Sequence, residues 1–218
     1  MLKAVLFDMD GVIVDTEPLH YKAYHLMFKD VGIKVETDLY ESFTGQSTIN
    51  ICKRLVDHFK LKASPEQLMN LKRQHFKYLF DHDEELALID GVLDLIKNYH
   101  QHDIKLVVAS SASMPNINQI FNRFQLNPYF EGKFSGADLK QSKPHPEIFI
   151  KAAEFTGFSK QECLVIEDST NGIAAASAAG IFCVGYKSPH SHGQNYAKAN
   201  MVITNFKDIY YDKVAHMV

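Results

Sequence analysis

Two aspartates one residue apart, Asp8 and Asp10, close an apolar run, and a glycine follows at once in Phe7-Asp8-Met9-Asp10-Gly11-Val12. Side chains at i and i+2 of an extended strand point the same way, so both carboxylates can face one site at the carboxyl edge of a sheet. Two acids held that close repel each other unless a cation lies beside them, and oxygen donors of this kind suit Mg²⁺. Gly11 removes a side chain where the backbone must approach something closely. Alone, such a pair is an ordinary capped strand end with a tight turn.

Three further stretches repeat the position. Val107-Val108-Ala109 runs into Ser110-Ser111-Ala112-Ser113, placing a hydroxyl and exposed backbone N–H groups where phosphate oxygens can be held. Ser142-Lys143-Pro144-His145-Pro146-Glu147 sets one lysine in a rigid, proline-flanked context ahead of a helix. Val165-Ile166 ends in Glu167-Asp168-Ser169, after which Asn171-Gly172 turns into a helix. Each has a plain reading of its own: a polar turn, a solvated lysine, an N-capping Asp168. Together, the carboxylates, the hydroxyl and the lysine make the set that magnesium-assisted phosphoryl transfer uses.

The elements that would position these groups follow from the apolar runs. Residues 4–7, 104–109, 163–166, 181–184 and 201–203 are short, continuously apolar stretches that predict strands buried on both faces of a parallel sheet. Helical patterns lie between them at about 92–102, 114–124, 145–157 and 171–179, so strand and helix alternate. The last of these is lined by alanines and ends at Gly180, as a helix packed closely on a sheet would. Residues from about 17 to 87 break the alternation with amphipathic helices alone. Thr16 is placed to cap the first, which Gly32 would stop; others are expected at about 38–43, 47–58 and 65–81, the last opened by Ser64-Pro65-Glu66. The expected organisation is an α/β core from residues 1–15 and 88–218, interrupted by a helical domain at 16–87 that two linkers let move as a lid.

Composition excludes other classes. With 218 residues, 46% hydrophobic and 22% charged, the chain has the usage of an ordinary globular protein. A net charge of -3 offers no general attraction for nucleic acid, and no local basic patch stands out. The three cysteines, Cys52, Cys163 and Cys183, are far apart in apolar surroundings and read as buried thiols of a reducing compartment rather than a disulfide or zinc set. Leu2 to Phe7 is too short for a signal-peptide core or a membrane span, so a cytoplasmic protein is expected. Monomer or weak dimer is the expected state.

In all of these residues the sequence resembles the haloacid dehalogenase superfamily, in its phosphatase and β-phosphoglucomutase-like branch, and the likeness spans the chain. Asp8-Met9-Asp10-Gly11-Val12 is similar to that family's first motif, Ser110 to its second, Lys143 to its third and Glu167-Asp168 to its fourth. The resemblance implies a Rossmann-like parallel sheet with helices on both faces and an inserted four-helix cap that reads the substrate. It implies Asp8 as nucleophile forming an aspartyl phosphate, Asp10 as general acid and base, and Ser110 with the Ser111 N–H as holders of the phosphoryl group. Lys143 would neutralise charge, and Mg²⁺ would be held by the Asp8 carboxylate, the Asp10 carbonyl and the Glu167/Asp168 pair, mostly Asp168. Asp10 separates this motif from that of the dehalogenases, which lack a second aspartate there. In the cap, Thr16 and His20 lie on or beside the linker helix, and His20 matches a histidine of the β-phosphoglucomutases. Gly45-Gln46-Ser47-Thr48 is similar to the cap's substrate loop, but Thr48 stands where those mutases carry an arginine. Lys72 and Arg73 are the cap's candidate cations, although a solvated face accounts for them as simply. His190 and His192 read as solvent-exposed. The implied activity is Mg²⁺-dependent phosphate release from small phosphorylated metabolites, sugar phosphates foremost. The implied alternatives are a β-phosphoglucomutase on the same core and a non-enzymatic phospho-acceptor switch.

Overall fold

The structure is a computed structural model that describes residues 1–43, 46–188 and 193–218. The chain divides into two compact units, Met1–Asp15 with Ala87–Val218, and Thr16–Leu86.

Among the described residues the first unit is built on six parallel strands, β1 (Ala4–Phe7), β2 (Lys105–Ser110), β3 (Gly132–Ser135), β4 (Cys163–Glu167), β5 (Phe182–Tyr186) and β6 (Met201–Ile203). Their order is β3-β2-β1-β4-β5-β6, with β1 paired to both β2 and β4. The strand order reverses direction between β1 and β4, and in such sheets ligands bind in the crevice beyond the carboxyl ends at that point. The apolar runs are continuous because both faces are covered. Ala4 and Leu6 point to one side, into a core shared with Phe149 and Ala152 of α7 (Glu147–Thr156) and Ile173 and Ala176 of α8 (Thr170–Ala179). Phe7 points to the other side, edge-on to Tyr99 of α5 (Val92–Gln101) and to Phe130, which meets Phe121 of α6 (Met114–Arg123). β3 has no counterpart among the sequence expectations. It is a four-residue edge strand, Gly-Lys-Phe-Ser, of which only Ser135 is fully buried, so it carries no apolar run to read.

Among the described residues the second unit holds four helices, α1 (Glu17–Asp30), α2 (Thr37–Glu41), α3 (Thr48–Phe59) and α4 (Pro65–His82). Met27 and Phe28 of α1, Ile51 and Leu55 of α3 and Leu68 of α4 make its apolar centre. α4 starts where Ser64 predicts: Ser64 Oγ accepts from Gln67 N–H at 3.2 Å, and Gln67 Oε1 accepts from Ser64 N–H at 2.7 Å. Thr16 does stand at the N-cap position of α1, but its side chain makes no capping bond and is fully buried. Pro18 and the acidic Glu17 in the first turn are what mark that end.

Candidate active site

β1 ends at Phe7, whose ladder partners are Val108 in β2 and Ile166 in β4. Asp8 is one residue beyond, still tied to β4 through its N–H and the Ile166 carbonyl at 2.9 Å. The chain then curls on itself: the N–H groups of Val12, Ile13 and Val14 all turn to the Met9 carbonyl, at 3.3, 2.8 and 3.1 Å. This curl brings Asp10 back beside the sheet edge, with Ser110 Oγ, at the end of β2, 3.5 Å from Asp10 Oδ2. Ser110 Oγ also accepts from the Ala112 N–H at 3.0 Å, which holds the turn after β2, while Ser111 is exposed at its tip.

Lys143 joins the motifs. Its ammonium donates to Asp8 Oδ1, to Glu167 Oε1 at 2.8 Å and to the Ala109 carbonyl at 2.9 Å, tying the ends of β1, β2 and β4 to one buried cation. The same ammonium sits 4.8 Å from the centre of the Phe149 ring. Glu167 is occupied on both oxygens, since Oε2 accepts from the N–H and hydroxyl of Ser169, each at 2.9 Å. Gly172 gives this carboxylate its room, because a Cβ there would overlap Glu167. Ser169, and not Asp168, caps α8, accepting from Gly172 N–H at 3.1 Å. Capping therefore does not account for Asp168. Its carboxylate occupies the space above Gly11, where any Cβ would collide with it; Gly11 also has a φ of 89°. The close approach that Gly11 permits is thus to Asp168.

Burial is the largest influence on Asp8 and pushes its carboxyl up, to about 8; Lys143 opposes the rise, and Glu167 and Asp10 add to it. Lys143 shows the reverse balance: burial would lower it, but the Asp8 and Glu167 carboxylates hold it above its usual value. The Lys143 ammonium is bonded to two carboxylates, with Asp10 close enough to act on Asp8, so negative charge outweighs positive among these groups. The donors fit Mg²⁺ on that ground and on chemistry, being hard oxygens. Among the described residues no three His, Cys, Asp or Glu side chains close into a ready cage. An ion here would draw on Asp8, Asp168, the Asp10 carbonyl and substrate or water oxygens. Glu167, expected as a metal ligand, has both oxygens committed elsewhere and orients Lys143.

This cluster of strand ends is what one family of enzymes carries. The model of the haloacid dehalogenase-like hydrolases matches residues 5–186. The chain belongs to that family. Among relatives of this hydrolase, a phosphorylated carbohydrates phosphatase of Thermotoga maritima is 31% identical, covering 83% of this chain and 82% of its own. A β-phosphoglucomutase of Bacillus subtilis is 29% identical over 95% of this chain and 92% of its own. The solved structure of CbbY from Rhodobacter sphaeroides, in complex with phosphate, is similar with a TM-score of 0.84 at 26% identity, covering 94% of this chain and 95% of that one.

The cap-like unit of this hydrolase has a polar cluster of its own. Lys72 is buried, at 3% exposure, with its ammonium 2.6 Å from His20 Nδ1 and 4.9 Å from the centres of both the Tyr24 and Phe76 rings. His20 stacks on Phe76 at 4.3 Å between centres. Burial first, and the Lys72 charge second, hold His20 well below its ordinary value of 6.5, so the imidazole is neutral and accepts at Nδ1. Thr48 is hydrogen-bonded to Tyr24, whose phenol burial pushes up. A solvated face is therefore the wrong account of Lys72. The signal was present: Leu68, Lys72, Phe76 and Phe80 are the buried residues of α4, a stripe at spacing four with a lysine in it. Gly45, His190 and His192 lie outside the described residues.

Proposed function

We propose that this hydrolase is a Mg²⁺-dependent phosphatase of small phosphorylated metabolites, sugar phosphates foremost, working through a phosphoryl group carried on Asp8. The observation that supports the reading is the Lys143 clamp, which holds one Asp8 oxygen, the other being the proposed nucleophile. In the first half, an Asp8 oxygen attacks phosphorus, the bond to the substrate's alkoxy oxygen breaks, and the Asp10 carboxyl gives that oxygen a proton. In the second, the Asp10 carboxylate takes a proton from water, the water oxygen attacks phosphorus, and the bond to Asp8 breaks, releasing inorganic phosphate. Ser110 Oγ and the Ser111 N–H hold phosphoryl oxygens, while Lys143 balances charge on Asp8 and the phosphoryl group. Mg²⁺, held by Asp8, Asp168 and the Asp10 carbonyl, would offset the negative charge shared by nucleophile and phosphate. His20 and Thr48, with Thr16, Gly45 and the Ser111 tip, are the proposed substrate contacts, and the burial of Lys72 against His20 adds a cation to that set.

The second reading is a β-phosphoglucomutase, in which the phosphoryl group returns to a sugar instead of water. His20 and the relative from Bacillus subtilis favour it. Thr48, a hydroxyl engaged with Tyr24 where those mutases carry an arginine, favours hydrolysis. A panel of sugar phosphates, nucleotides and phosphoglycolate assayed for Mg²⁺-dependent phosphate release tests the proposal. β-Glucose 1-phosphate with a bisphosphate primer is run in parallel. Free phosphate is expected; isomerised sugar phosphate with little phosphate would establish the mutase instead.

A further inference from the structure

The segment leading into β6 runs along β5 and is fastened at three places. Asn200 exchanges two bonds with Cys183, donating from its N–H to the Cys183 carbonyl and accepting at its side-chain oxygen from the Cys183 N–H, both at 2.8 Å. Tyr196 lies over Gly185, where a Cβ would come within 2.8 Å of the ring and 3.2 Å of the Ala199 methyl. Gly185 is the register partner of Glu167, so the ring is seated beside the end of β4. From that anchor Gln194 reaches the first residue of α8: its Oε1 accepts from the Thr170 N–H at 2.8 Å and from the Thr170 hydroxyl at 2.9 Å. The Asn195 N–H then donates to the same hydroxyl at 2.8 Å.

The first N–H groups of a helix have no partner inside it. Here one end receives two caps, Ser169 from within and Gln194 from 24 residues further on. What lies between these fixed points and β4 is Asp168. On its N-terminal side Glu167 is held by Lys143 and Ser169; on its C-terminal side Thr170 is held by Gln194. The Asp168 backbone is therefore pinned from both directions, and its carboxylate is kept in the space above Gly11. A ligand fixed in advance loses less freedom on gripping a cation than one that must be ordered at that moment.

We propose that Gln194 is a positioning residue for Asp168 and sets the affinity of this site for its divalent cation. The inference rests on the Mg²⁺ reading above and goes beyond it by naming a residue outside the four motifs. Partners of a metal ligand beyond the coordination shell commonly change affinity by about 10–100-fold. The probe is Mn²⁺, titrated into wild type, Gln194→Ala and Gln194→Glu and followed by loss of the free-ion EPR signal, with Mg²⁺ as competitor. Glutamate keeps an acceptor oxygen for both Thr170 donors; alanine keeps none. Gln194→Ala is expected to bind Mn²⁺ about tenfold more weakly, with Gln194→Glu restored toward wild type. The Mg²⁺ concentration for half-maximal phosphate release should rise by the same factor while the substrate KM stays in place. Thr170→Val, which deletes the hydroxyl and keeps the N–H, should show the same change at smaller size, and serves if the alanine variant does not fold. A lowered melting temperature with unchanged Mn²⁺ affinity would overturn the proposal, as would failure of the glutamate to rescue. If wild type itself bound neither ion, the Mg²⁺ reading would fall first and this inference with it.

Discussion

Removing the Lys143 ammonium should be far more damaging than removing an ion pair at the surface. Lys143→Met keeps the aliphatic length against Phe149 but deletes the bonds to Asp8, Glu167 and the Ala109 carbonyl. The side chains of Lys143, Asp8 and Glu167 are 5%, 9% and 1% exposed, so solvent cannot make good the loss. Two carboxylates would be left facing each other without their cation. Orphaning a buried charge costs about 3–5 kcal/mol. For a chain of this size each kcal/mol moves the melting temperature by about 2–4 °C, so a fall of about 6–20 °C is expected for the metal-free protein. The assay is thermal unfolding at pH 7.5 without Mg²⁺. The double variant Lys143→Met/Glu167→Gln should recover part of the loss, because it removes one of the orphaned charges while keeping an amide for the Ser169 contacts. Neither variant should release phosphate. A loss under about 1 kcal/mol, the range of an exposed pair, would refute the reasoning, as would a double variant no better than the single one.

His20 is held below its ordinary value of 6.5, so the folded protein binds fewer protons there than the unfolded chain. Its contribution to stability is complete above 6.5 and is lost as pH falls below that value. The melting temperature of wild type should therefore drop between pH 6.5 and 5 more steeply than that of His20→Asn, and nitrogen-detected NMR at pH 6.5 should find the His20 proton on Nε2; an equal slope, or a charged ring at that pH, would contradict the Lys72 contact. Cys52, Cys163 and Cys183 are all fully buried, and burial pushes each thiol up, Cys52 to about 11. Ellman's reagent at pH 7.5 should label none of the three in the native protein and all three after unfolding. Gly172→Ala drives a methyl into the Glu167 carboxylate and should depress both melting temperature and turnover, whereas Ser177→Ala, at an exposed position of the same helix, should change neither.

The core strands were legible because each is a run of four to six residues covered on both sides, ending where polar residues begin. The placement of the candidate site groups was legible for the same reason, since Asp8, Ser110 and Glu167-Asp168 each stand at the end of such a run. β3 escaped because an edge strand need not be apolar. Lys72 escaped because its type speaks for solvent and only its spacing within the stripe from Leu68 to Phe80 speaks for burial. The roles of Glu167 and Asp168 could not be divided from spacing alone. The side chains of Lys143 and Ser169 and the bare backbone of Gly11 decide which acid orients the lysine and which lies over the turn, and these come from three separate loops. Gln194 was beyond reach altogether, because a glutamine in a polar loop gives no sign of an acceptor role 24 residues away.

The central claim is that Asp8 carries the phosphoryl group. Rapid quenching during turnover with a substrate from the panel, reduction with borohydride and peptide mass spectrometry would locate it. The expected product is homoserine at position 8, absent without substrate and absent from Asp8→Asn. Sustained phosphate release by Asp8→Asn, or reduction at any other aspartate, would contradict the account.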